Sequence, residues 1–130
     1  MNHRTTLLAA GLLGATGVGF GAFGAHALRD FLLERGQAAA WDTAARYQLL
    51  HAVALFAATA WMRVSPGAGT IRIQWAARCW AAGTVLFSGS LYWYAAGGPH
   101  FLVFLTPVGG VTLLVGWLMA VAAALVVPDA

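Results

Sequence analysis

Between Thr5 and Leu28 the chain carries no formal charge, with His26 neutral, and this uninterrupted run of 24 residues limits the possible folds most sharply. As an α-helix rising about 1.5 Å per residue it would extend roughly 36 Å, more than the ~30 Å hydrocarbon core of a bilayer. Three further apolar stretches follow, from about Trp41 to Met62, from Cys79 to about Gly97, and from Phe101 to Val127. The uncharged part of the second begins only after Arg46, so Arg46 must snorkel toward water. The four stretches cannot all be the core of a water-soluble protein. Only 8% of the 130 residues are charged, against about 25% in soluble domains, and so few polar groups cannot cover a surface. Lipid is therefore the solvent for most of the chain.

The sequence predicts an all-α fold: one domain over residues 1–130, a four-helix transmembrane bundle with antiparallel neighbours, helices at about 5–28, 41–63, 77–97 and 101–127, and a glycine-lined first helix. "SPGAGTIRIQ" (65–74) reads as a loop, and "AGGPH" (96–100) as a tight turn. With four spans, Arg4, Arg63, Arg72 and Arg78 share one side with Asp129, while Arg29, Arg35 and Arg46 lie opposite among Asp30, Glu34 and Asp42. Arginine excess marks the cytoplasmic side. Both termini are expected there, in a bacterial inner membrane. "MNHRTTLLAAG" with "AHA" at 25–27 imitates a cleavable signal, but the run is longer than an ordinary signal core and is broken by six glycines. A retained first helix is expected.

Those glycines also contain Gly19-x-Gly21-x-x-Gly24, the spacing of a dinucleotide-binding turn. Such a turn needs a strand before it and βαβ units around it. Here it sits inside one apolar run. Gly14, Gly17, Gly21 and Gly24 are instead spaced 3, 4 and 3, along one face of a helix, and Ala10 continues the stripe. In lipid, small residues let two backbones approach closely. Gly83, Gly89, Gly109 and Gly110 are the corresponding packing candidates in the third and fourth helices.

"GAFGAHAL" (21–28), "YQLLHAVAL" (47–55), "LFSGSLY" (86–92), and "TPVGG" (106–110) with "GW" (116–117) resemble, in this order, the signature blocks of domain of unknown function family 423. The resemblance covers nearly the whole chain. It implies a small four-helix integral membrane protein of the kind found in bacteria and mitochondria, with no activity attached.

Polar side chains concentrate in one membrane half, the outer one on the arginine count. His26 lies at the exit of the first helix, Tyr47, Gln48 and His51 near the entrance of the second, Ser88, Ser90 and Tyr92 in the third, and Thr106 before Pro107 in the fourth. These eight residues form the candidate polar pocket. Tyr92, Trp93 and Tyr94 also read as an interfacial aromatic belt, Asp42 and Arg46 as a surface pair one turn apart, and Pro107 with Gly109 and Gly110 as a bend in the fourth helix. His26 and His51 invite comparison with a shared haem or metal site, but two histidines alone do not define one.

Several function classes are excluded. The interleaved basic and aromatic residues of nucleic-acid binding are absent. Cys79 stands alone, so no intramolecular disulfide forms. No acid lies inside the uncharged part of any span, which leaves carboxylate dyads and triads without support. The expectation is no enzyme, no cofactor and no metal. The partners expected are the bilayer and a homo-oligomer or a larger membrane complex. A structural or accessory protein fits best. The alternative is a small transporter, or a lipid- or quinone-binding protein with its pocket around His51.

Overall fold

A computed structural model describes residues 1–64 and 67–127. Among them the chain is helical: α1 His3–Ala25, α2 Arg29–Glu34, α3 Ala38–Val64, α4 Ala68–Ala95, a 3-10 turn at His100–Phe104, and α5 Leu105–Ala124. The four apolar stretches become α1, α3, α4 and α5. The helix count is nevertheless five, because α1 ends at Ala25 and a short α2 follows. His26 and Leu28 donate backbone N–H bonds to Ala22 and Phe23 and turn the chain. Leu32, 1% exposed, then holds the charged segment on the bundle against Trp41 and Ala44. Gly36, at φ +65°, ends the excursion in a conformation that disfavours a side chain.

The expected loop at 65–74 is mostly helix; Ser65 and Pro66 lie outside the described residues. α4 starts at Ala68, well before residue 77, because its first turns are packed. Ile73 is buried there, and a Cβ at Gly69 would lie 2.9 Å from Val127, three residues past the end of α5. Residues 101–104, expected as regular helix, wind instead within a 3-10 turn over His100–Phe104. Pro107 falls in the first turn of α5, where a missing N–H leaves no bond unmade.

α1 packs on α3, α3 on α4, and α4 on α5. Both outer pairs are antiparallel with a constant register. A Cβ built on Gly14, Gly17, Gly21 or Gly24 of α1 would meet Ala52, Leu49, Ala45 or Trp41 of α3 in turn. On Gly83, Gly109 or Gly116 it would meet Leu113, Phe87 or Trp80 across the α4–α5 contact. Two buried clusters result. The larger joins Ala10, Leu55, Ala77, Trp80 and Leu113, and the smaller joins Leu32, Trp41, Tyr92 and Ala95.

The outside is as apolar as the inside: Leu12, Val53, Phe56, Phe104 and Leu118 are each more than half exposed. Two helical stretches are long and apolar enough to cross a membrane, His3–Ala25 with mean hydropathy 1.6 and His100–Ala124 with 2.0. At the start of α1, partial burial and then the nearby Arg78 guanidinium hold the N-terminal amine below its ordinary pKa.

Candidate functional site

α3 and α4 form a central pair with α1 on one side and α5 on the other, and the polar residues divide between the two sides. On the α1 side Gln48 is buried. Its Nε2 donates to the Leu13 carbonyl at 2.9 Å and to Thr16 Oγ1 at 2.7 Å. Thr16 Oγ1 in turn donates to the Leu12 carbonyl at 2.7 Å. One amide thus ties α3 to α1. Nearby, Trp41 Nε1 donates to the Phe20 carbonyl at 2.7 Å. The Phe20 and Trp41 rings both pack on Tyr92, with centroids 4.8 and 4.7 Å away. Below this aromatic cap a cleft of about 190 Å³ opens, lined by Thr16, Phe20, Gln48, Thr84, Ser88 and Tyr92. The hydroxyls of Thr84, Ser88 and Tyr92 are buried and have no hydrogen-bond partner among the described residues.

On the α5 side lies His51, 2% exposed. Its Nδ1 is 2.8 Å from the Tyr47 carbonyl, and its Nε2 accepts from Trp117 Nε1 at 3.2 Å. A carbonyl only accepts, so Nδ1 carries the proton and Nε2 the lone pair. The two bonds select a single neutral tautomer. Tyr47 stacks beside the imidazole and packs its ring on Phe87 at 4.6 Å, while Trp117 packs on Trp80 at 4.7 Å. Further along, Ser90 and Thr106 share a hydrogen bond of 2.8 Å, and Ser90 also donates to the Phe87 carbonyl at 3.0 Å.

The eight polar residues expected in one pocket are therefore not gathered in one. Gln48, Ser88 and Tyr92 meet on the α1 side. Tyr47, His51, Ser90 and Thr106 lie toward α5, in two separate groups. His26 caps the end of α1 and is exposed. It sits near the level of Trp41, whereas His51 is ten residues further along α3, about 15 Å by helical rise. The two imidazoles do not meet. Tyr92 is no belt residue: it turns inward, while Trp93 is 61% exposed. Asp42 and Arg46 do pair, at 2.7 Å, on an open surface. Among the described residues no three His, Cys, Asp or Glu side chains cluster as a metal site would need.

Sequence reasoning overlooked Thr84, Thr16 and Trp117. Thr84 had a signal, since it precedes Ser88 by four residues and so shares its helix face. Trp117 had none, because its pairing with His51 arises only when α5 folds back.

A chain made of packed helices, apolar outside and carrying its few polar groups inward, is a small helical membrane protein. It belongs to the family described as "Protein of unknown function (DUF423)", whose model matches residues 20–110. It is similar to the UPF0382 membrane protein of Staphylococcus epidermidis, 39% identical over 108 residues that cover 83% of this chain and 84% of that one. The UPF0382 inner membrane protein YgdD of Escherichia coli is 38% identical over 130 residues, covering 96% and 92% of the two chains. The Staphylococcus aureus UPF0382 membrane protein SAB0533 is 37% identical over 106 residues, covering 82% and 83%. No solved structure matches the chain.

Proposed function

We propose that this is a non-enzymatic structural or accessory protein of the bacterial inner membrane, crossing it four times with both termini in the cytoplasm. In this reading α3 and α4 span beside α1 and α5, and the arginine-richer end faces inward. The inner-membrane assignment draws on the printed name of the Escherichia coli relative. α1 has two small-residue faces with different uses. Gly14, Gly17, Gly21 and Gly24 knit α1 to α3 within the chain. Gly11, Ala15 and Gly19, one turn apart, face outward.

That outward stripe carries the reading. All three residues are exposed, and a Cβ at Gly11 or Gly19 would meet nothing within 4 Å. In lipid such a strip lets another helix approach to backbone contact, where dispersion and weak Cα–H···O bonds hold it. The second helix comes from another copy of this chain or from a larger membrane complex.

Native mass analysis after extraction in mild detergent tests the reading. A dimer or a stoichiometric partner is expected, and Gly11→Leu with Gly19→Leu should release it without unfolding the chain, since both sites are open. A chain that extracts as a lone monomer from its native membrane overturns the reading. A glycosylation or phosphatase reporter fused to either end tests the orientation.

A further inference from the structure

Thr84, Ser88 and Tyr92 recur at every fourth residue of α4, so their side chains share one face at intervals of about 6 Å. They are 1%, 1% and 9% exposed, and none of the three hydroxyls has a partner among the described residues. Other helical threonines here behave differently. Thr16, Thr43, Thr59 and Thr112 each donate to the carbonyl four residues back. That bond is the ordinary refuge of a hydroxyl in an apolar helix. Thr84 and Ser88 forgo it, beside a cleft and at a depth where hydrocarbon offers no substitute.

We propose that this α1–α3–α4 cleft binds the neutral, carbonyl-bearing head group of a lipid-soluble molecule. The Ser88 and Thr84 hydroxyls, drawn out by a χ1 rotation, donate to its carbonyl oxygens. Neutrality follows from the lining, which contains no charged side chain; an ionised head group there would lack a counter-charge. Acceptor chemistry follows from the protein's own groups. The Gln48 amide nitrogen is already engaged by Leu13 and Thr16, which leaves hydroxyl protons as the free donors. The volume of about 190 Å³ is below the ~300 Å³ at which sites enclosing whole drug-sized molecules begin, so a ring or an ester head group fits and its tail does not. The tail leaves past Gly89, which is exposed with nothing within 4 Å of a built Cβ. A quinone ring and a diacylglycerol head group both present this chemistry.

The test uses the full chain in phosphatidylcholine nanodiscs, titrated separately with a decyl-tailed benzoquinone and with dioleoylglycerol, read by native mass spectrometry and tryptophan quenching. Saturable binding of one equivalent is expected in one arm, and the arm identifies the source. Ser88→Ala and Thr84→Val should each weaken it at least five-fold, with no loss of thermal stability in the ligand-free protein. Gly89→Leu, which fills the open side, should abolish it. If that variant fails to fold, Ser88→Ala decides. No saturable binding in either arm, as expected of a cleft that holds only water, overturns the proposal. So does binding untouched by Ser88→Ala, or displaced by anionic phosphatidylglycerol. Loss of self-association through α1 would leave this result unaffected.

Discussion

The two sides of the α3–α4 pair solve the problem of polar groups in lipid in opposite ways. Glycines bring backbones together on both sides. Toward α5 the hydroxyl and imidazole groups answer one another, His51 with Tyr47 and Trp117, and Ser90 with Thr106, while the Trp80 indole N–H there is buried without a partner among the described residues. Toward α1, one glutamine fastens the helices, and three hydroxyls remain open around a cleft. Both sides are buried, so burial alone does not tell them apart. The difference lies in the hydroxyls, which have met partners toward α5 and have not around the cleft. A satisfied group specifies packing, whereas an open one at similar depth awaits something from outside the chain.

Substitutions at both sides put that contrast at risk. The largest effect is expected on the α5 side from Gly109→Val, because a Cβ there would meet the Phe87 backbone. Overpacking against backbone should cost about 3 kcal/mol, seen as loss of a monodisperse peak in fluorescence-detected size exclusion. Next comes His51→Ala, which strands the Trp117 donor. A loss of about 1–2 kcal/mol is expected, and a double-mutant cycle with Trp117→Phe should show coupling between the two sites. Additive effects would remove the bond from the account.

On the α1 side the sign should reverse. Ser88→Ala deletes a hydroxyl with no partner, so the ligand-free protein should melt at the same temperature or higher, by up to about 1 kcal/mol of stability. A clear loss there would erase the distinction between the sides. Smallest is Asp42→Asn, which breaks an exposed i,i+4 pair and should cost only about 0.3 kcal/mol, vanishing in high salt. It sets the noise floor for the other three in thermal melts.

Helical class and the Asp42–Arg46 pair were readable because both depend on local spacing. α2 was not, because Arg29–Glu34 is charged and short, and its helix exists through Leu32 reaching the bundle. The start of α4 was hidden by Ser65, Pro66 and Gly67, which signal a loop but lie beside residues that α5 packs into helix. Tyr92 resembled its neighbours Trp93 and Tyr94 in composition, and only the position of Phe20 and Trp41 shows why it turns inward. The polar pocket was drawn by depth alone. Depth was a poor guide to neighbours, since residues near one level of a bundle can meet different helices, as Gln48 meets α1 and His51 meets α5.

The tautomer of His51 has a consequence for traffic across the membrane. A proton can hop through an imidazole only if one nitrogen can receive while the other releases. Here the sole lone pair is covered by an indole N–H, which has nothing to pass along, and the opposite N–H ends on a helix carbonyl. In this arrangement neither nitrogen of the buried ring meets a group that could relay a proton onward.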